Sequence, residues 1–201
     1  VFQTARPAEL AWESKPSEGI VLNRFPDGRV QLVGYPLGGE KTQQAQADFR
    51  LQEPGLYEVI FEVEDADVGT GVSLSDKEHK PICRVGFFRH RETGKKVFDL
   101  LAPWASETDR SYDPNKQPIP YAGKRQWLRV VCGAGLFKLF TSGDGVHWRQ
   151  PTLNSPGWEG TCVRVGLFCL PAAQKPSITL RSLSIRKLDT LYAVVPEAVY
   201  Y

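Results

Sequence analysis

The chain contains no methionine at any of its 201 positions, the first included. A fragment or processed product of something longer is therefore the expectation. No apolar run approaches the roughly 20 residues that a membrane-crossing helix needs. The opening residues, VFQTARPAEL, lack the basic start and apolar core of a secretory leader. An excess of either charge is also missing: 25 basic and 23 acidic residues leave a formal net charge of +2. No global field then recommends nucleic acid or an anionic membrane as partner, and the sequence assigns no compartment.

Several chemistries lack their residues. Cys83, Cys132, Cys162 and Cys169 include no C-x-x-C pair, so zinc-knuckle spacing is absent. Each lies in or at the end of an apolar run, where a thiol behaves as a small hydrophobe. Buried thiols are expected, with one disulfide as the alternative. His79, His90 and His147 are unpaired in sequence, and no Ser, His, Asp order has a nucleophile turn to support it. No cofactor is expected; calcium is the one metal considered, because Glu64, Asp65 and Asp67 cluster hard oxygens, although their spacing matches no EF-hand loop. No segment keeps a helical stripe over three turns, and there is neither repeat nor low-complexity tract.

What is present is alternation. Tyr57, Val59, Phe61 and Val63 interleave with Glu58, Ile60, Glu62 and Glu64, giving a strand with one apolar and one largely acidic face. Such acidic residues are expected to be solvated. Around Pro26-Asp27-Gly28 two apolar runs, 20–25 and 29–35, make a hairpin. Runs 82–89 and 96–101 make another across Glu92-Thr93-Gly94, and 70–74 is a short strand. From Gln126 to Trp148, two alternating runs flank Gly133-Ala134-Gly135 and are followed by the turn Ser142-Gly143-Asp144-Gly145. Runs 162–170 and 178–188 follow, the second slipping phase near Arg181-Ser182 as a β-bulge requires.

Many short strands with turns between them predict an all-β fold, an antiparallel two-sheet β-sandwich or jelly roll. Residues 1–19 read as an arm on the domain surface, 20–188 as the sandwich, and 189–201 as an apolar tail that caps it or packs on a neighbour. Residues 36–48 read as a loop with a short helical turn at 43–47. The proline-containing stretch from Trp104 to Lys124 is a long loop and a candidate binding element.

The pattern W-L-R-V, Gly turn, F-K-L-F-T-S, D-G and W over Trp127 to Trp148, then CVRVGLFCLP and ITLRSLSIRKL, resembles the concanavalin A-like lectin/glucanase superfamily, especially laminin-G-like domains. The resemblance covers Arg125 to Leu188; earlier it is architectural. It implies a sandwich whose concave sheet often holds carbohydrate or another extended ligand. The glucanases of that superfamily carry E-x-D-x-E on one strand, which Glu62-Val63-Glu64-Asp65 does not meet, so an enzyme is not expected. SGDGVHW resembles a sialidase Asp-box one residue short, and reads as a turn.

If the alternating strands are neighbours, Arg84, Phe88, His90, Trp127, Arg129, Lys138, Phe140, Arg164 and Phe168 share one basic and aromatic face. Aromatics stack on sugars while Arg and Lys bind hydroxyls or carboxylates, so an acidic oligosaccharide would fit. The alternative is that these side chains merely cover a sheet. Three functions fit these residues: a non-catalytic binding module of a larger multidomain protein, with carbohydrate as its candidate ligand; a structural or protein-interaction domain; and a glycoside hydrolase or lyase without the usual motif.

Overall fold

The computed structural model describes residues 3–15, 19–35, 45–89, 93–101, 119–120, 124–133, 136–149, 162–170 and 175–189, with backbone alone at 3, 15, 45, 83, 99–101, 119–120, 132–133 and 136–137. Its strands are β1 (Gln3–Ala5), β2 (Glu13–Lys15), β3 (Ile20–Arg24), β4 (Val30–Gly34), β5 (Ala45–Glu64), β6 (Thr70–Ser75), β7 (Pro81–Arg89), β8 (Lys96–Leu101), β9 (Ile119–Pro120), β10 (Arg125–Gly133), β11 (Leu136–Ser142), β12 (Cys162–Cys169) and β13 (Ser177–Leu188). The only helical element among the described residues is a 3₁₀ turn at Pro7–Glu9. No helix among them is long and apolar enough to cross a membrane.

Every pairing is antiparallel, and β5 takes part in two sheets. Its second half pairs with β10 and β13, and these lead to β11 on one side and to β4, β3 and β1 on the other. Its first half pairs with β2 and β12, and β12 leads on through β6, β7 and β8 to β9. We call the first assembly the front sheet and the second the back sheet. Alternation supplies the core between them: Val59, Phe61, Val63, Leu128, Val130, Leu139, Ile178 and Leu180 from the front meet Ala47, Phe49, Val72, Leu74, Val85, Phe87, Val165 and Leu167 from the back, all buried. The expected all-β sandwich and its hairpins are thus present, and the β13 register shifts between Leu180 and Ser182, where the phase slip places a bulge.

Three expectations are corrected. The acidic strand is not confined to the alternating run from Tyr57 to Glu64; it begins at Ala45 and runs 20 residues, so the helical turn expected at 43–47 is strand where it is described. The reason is the Gln46, Asp48, Arg50 alternation against Ala47, Phe49 and Leu51, which a polar, Gln-rich neighbourhood conceals. The N-terminal arm is not merely laid on the surface: β1 pairs with β13 and β2 with β5. Trp12 fastens it, donating to the Pro7 carbonyl at 2.7 Å and meeting the Phe49 ring edge-on at 5.4 Å. Cys162 and Cys169 are buried as thiols, and burial pushes the Cys169 thiol up to about 12. The long loop lies outside the described residues except for Ile119, Pro120 and Lys124, and the tail except for Asp189.

The outer face of the back sheet has a glycine floor. Gly71 opposes Gly86, and Gly166 opposes both Asp48 and Ser73. A Cβ at Gly71 would stand 2.1 Å from the Val85 carbonyl oxygen and 2.7 Å from the Phe168 ring; one at Gly166 would stand 2.4 Å from the Ala47 carbonyl. Neither backbone can withdraw without opening the sheet. Gly71→Ala is therefore expected to destabilise the fold by about 1–3 kcal/mol, as overpacking does, measured by denaturant unfolding; Gly143→Ala, with nothing within 4 Å of the added carbon, is its control.

Candidate functional site

The nine candidate residues do not form one face. Register places Trp127, Arg129, Lys138 and Phe140 on the outer face of the front sheet, while Arg84, Phe88, Arg164 and Phe168 stand on the outer face of the back sheet. His90 lies outside the described residues. The reason is that period-two alternation tells which face of a strand is apolar, not to which sheet the strand belongs.

On the front sheet the acidic row of β5 is closed, not solvated. Glu58 is fully buried and takes both the Arg129 Nε and an Arg186 terminal nitrogen. Glu62 meets Arg125 at 3.0 Å, and accepts from the Ser182 hydroxyl at 2.7 Å. Glu64 accepts from Arg29 at 2.6 Å and Arg181 at 2.8 Å. Burial would raise the Glu64 carboxyl, but the bonds from Arg181 and Arg29 outweigh it and hold the group below its ordinary value. These arginines come from β10, β13 and the turn before β4, so the strand's own sequence gave no sign of them. The Arg129 guanidinium also lies 5.3 Å from the Phe140 ring centre and 5.7 Å from that of Trp148. Phe140 and Trp148 are themselves buried against Val131 and Leu188. Arg129 and Phe140 are therefore consumed by the fold.

The turn that follows β11 works as its sequence suggests. The Ser142 hydroxyl accepts from the Asp144 and Gly145 amides, and the Asp144 carboxylate accepts from the amides of Val146 and His147, each at 2.8 Å. The His147 ring first, and then these amides, hold Asp144 well below the usual carboxylate range. Thr141 and Arg149 exchange backbone hydrogen bonds, returning Trp148 to the front sheet. Trp127, partly buried, lies under Gly145, where an added Cβ would stand 3.2 Å from the indole.

The back sheet holds the other constellation. Asp48, fully enclosed, accepts from Arg164 at 2.8 Å and from the Gln46 amide at 2.7 Å, and meets His79 Nδ1 at 3.1 Å. Arg164 donates its other terminal nitrogen to Glu13 at 2.7 Å. Gln46 also reaches Ser75 at 3.0 Å and accepts from Arg84 at 3.3 Å. His79 is aimed by its backbone: it stands at φ 63° in the turn 76–80, whose amides at Glu78 and Lys80 are held by the Asp76 carboxylate. Beside this network the Phe168 ring lies over the Gly71 and Gly86 floor, with Phe88 and Leu170 packed on it and Arg84 at 5.7 Å. Phe168 is fully buried, which removes it as a stacking platform.

Sequence reasoning found Arg84 and Arg164 but missed Glu13, Gln46, Asp48, Ser73, Ser75 and His79. A signal existed in the strict alternation of Gln46, Asp48 and Arg50, and of Ser73 and Ser75, with apolar residues. For calcium, Glu64 is engaged by two arginines and Asp67 accepts from the Ser177 amide at 2.8 Å and its hydroxyl at 3.1 Å. Among the described residues no group of three His, Cys, Asp or Glu is arranged to hold a metal.

No protein-family model matches the chain, and no curated protein matches it in sequence. Solved structures do. Lotus tetragonolobus seed lectin superposes with a TM-score of 0.60 at 8% identity over 94% of this chain and 98% of its own. The exoplasmic/lumenal domain of VIP36, in a Ca²⁺- and mannose-bound form, gives 0.54 at 10% identity, covering 91% of this chain and 85% of that one. A GH43 glycoside hydrolase gives 0.56 at 12% identity, covering 88% of this chain but only 38% of the hydrolase. The chain thus has the concanavalin A-like jelly-roll fold.

Two outcomes follow for the front sheet. Glu58→Ala leaves two guanidinium groups facing each other without their shared partner, and is expected to cost on the order of 3 kcal/mol, read by denaturant unfolding. Glu64 lies lower in the folded protein than its ordinary value of 4.5. Its pairing therefore stabilises the fold above that value, and the contribution is lost as pH falls through the folded value. Glu64→Gln should accordingly flatten the acid limb of a melting-temperature profile between pH 5 and pH 2, taking these limits as a rough window.

Proposed function

We propose that the chain is a non-catalytic carbohydrate-binding module whose ligand is held on the outer face of the back sheet, around Arg84, Arg164, Gln46 and Asp48. The observation that carries this reading is the polar network in the middle of that sheet. Guanidinium, carboxylate and amide groups stand there on β5, β7 and β12, with an imidazole from the turn 76–80, each oriented by a neighbour. A set of mixed donors and acceptors fixed in advance loses little freedom when it meets a polyhydroxylated ligand. Likeness in fold to a seed lectin and to a domain solved with mannose supports the same reading.

The non-catalytic part rests on the pairing of the carboxylates. Glu58, Glu62 and Glu64 on one sheet and Asp48 and Glu13 on the other each face an arginine. Glycoside hydrolysis needs a carboxyl free to give its proton to the leaving group, and these carboxylates are already engaged by arginines. A second reading, that the module serves as one part of a larger protein, is favoured by the GH43 comparison, in which the sandwich accounts for 38% of the hydrolase chain.

A glycan array probed with the whole chain is expected to yield bound glycans, with signal lost in Arg84→Ala and unchanged in Trp127→Ala, folding being checked by circular dichroism. An array without binders, or binding that needs Trp127 and ignores Arg84, would sink the proposal.

A further inference from the structure

We propose that His79 is a proton-operated clasp that fastens the N-terminal arm to the back sheet, tightening as the imidazole gains a proton and slackening as it loses one. The arm joins the two sheets. β1 adds to β13 of the front sheet, β2 adds to β5 of the back sheet, and Leu10 and Trp12 between them pack against the core. Each of these strands is three residues long, and short terminal strands are among the first parts of a protein to open. Side-chain ties therefore weigh heavily in keeping the arm down.

Glu13 is such a tie at the β2 end. Its carboxylate accepts from Arg164 at 2.7 Å and lies 3.8 Å from His79 Nε2. The other ring nitrogen, Nδ1, lies 3.1 Å from Asp48, the residue that opposes Glu13 in register. The imidazole thus has one nitrogen toward each of two carboxylates, and its side chain is only 11% exposed.

A neutral imidazole carries one N–H and one lone pair. If the proton is on Nδ1, facing Asp48, a lone pair on Nε2 faces the Glu13 carboxylate; if it is on Nε2, a lone pair faces Asp48 at 3.1 Å. Neither tautomer serves both. The imidazolium does, since both nitrogens then donate, and imidazole is the side chain that changes charge between about pH 5 and 8. The charges on the packed elements point the same way. Glu13 on β2 and Asp48 on β5 share the single guanidinium of Arg164 on β12, so the proton evens the count. Arg84 on β7 reaches Asp48 only through the Gln46 side chain, which bonds to both. On the ring's own turn, Asp76 is engaged by the amides of Glu78 and Lys80, and Lys77, Glu78 and Lys80 are exposed. Arg164 and Gln46 hold Asp48 whether or not the ring is charged. The change therefore falls on Glu13 and the arm. Because the added tie exists only with the proton on, it favours the docked arm at the acid end of the range and is lost as pH rises.

Hydrogen exchange of the whole chain, read by mass spectrometry as protection relative to the intrinsic rate at each pH, reports how often residues 3–15 open. From about pH 8 to about pH 5.5, wild type is expected to gain protection in this segment by about two- to fivefold, the scale of a partly exposed ion pair. His79→Asn, which keeps a residue suited to a left-handed backbone, and Glu13→Gln, which keeps the histidine, should each lose that gain. Protection of β12 in the same spectra verifies that each variant is folded. Wild-type protection of residues 3–15 that stays flat or falls on acidification would overturn the clasp. A gain that survives in His79→Asn would overturn the role of the ring. A gain lost in His79→Asn but kept in Glu13→Gln would overturn the link to the arm, since the proton would then act through Asp48 alone.

Discussion

Everything in this sandwich hangs on one strand serving two sheets. Over its first half β5 turns Ala47, Phe49 and Leu51 into the core and Gln46 and Asp48 outward; over its second half Tyr57, Val59, Phe61 and Val63 go in and Glu58, Ile60, Glu62 and Glu64 go out. Because side chains alternate with a period of two, a slip of one residue anywhere along it would drive carboxylates into the core. The same strand thus sets the register of β2 and β12 on one side of the molecule and of β10 and β13 on the other. Its two outward rows become the carboxylate side of both ionic networks.

Those networks differ in character. On the front sheet each glutamate of the outward row meets at least one arginine, and Glu58, fully buried, is shared by two. Taking ions out of water is expensive, and such pairs seldom add net stability over a well-packed apolar alternative. What they do is fix which strands lie side by side, since only the native order brings Arg129 and Arg186 to opposite sides of Glu58. On the back sheet the ratio is reversed, and one guanidinium, that of Arg164, bridges two carboxylates, Asp48 and Glu13.

Much of the fold was legible from alternation and turn chemistry. Pro26-Asp27-Gly28 forms its turn with Gly28 at φ 93°, Ser142 to Gly145 closes on its own hydroxyl and carboxylate, and the phase slip at Arg181-Ser182 is a bulge. The site was legible only in part, because periodicity is local and sheet membership is not. Arg129, between Leu128 and Val130, and Arg164, between Val163 and Val165, carry the same local signal, an arginine between buried apolar residues, yet one ends on Glu58 and the other on Asp48 and Glu13. His79 could not have been placed at all, since its aim depends on a left-handed backbone in a five-residue turn. Glu13 belonged to a segment whose irregular composition concealed two short strands.

The dual role of β5 also sets a schedule for synthesis. β5 ends at Glu64, while β12 and β13, which flank its two halves, begin at Cys162 and Ser177. At roughly 5–20 residues per second of translation, the edges that β12 and β13 will cover stay open for several seconds or more, although β2 is already made. A nascent chain in that interval carries an apolar strand with open edges, the form most prone to pair with the wrong partner. The carboxylates of its outward rows, not yet met by their arginines, are then charged and solvated, and they keep that strand apart from its copies until the last strands arrive.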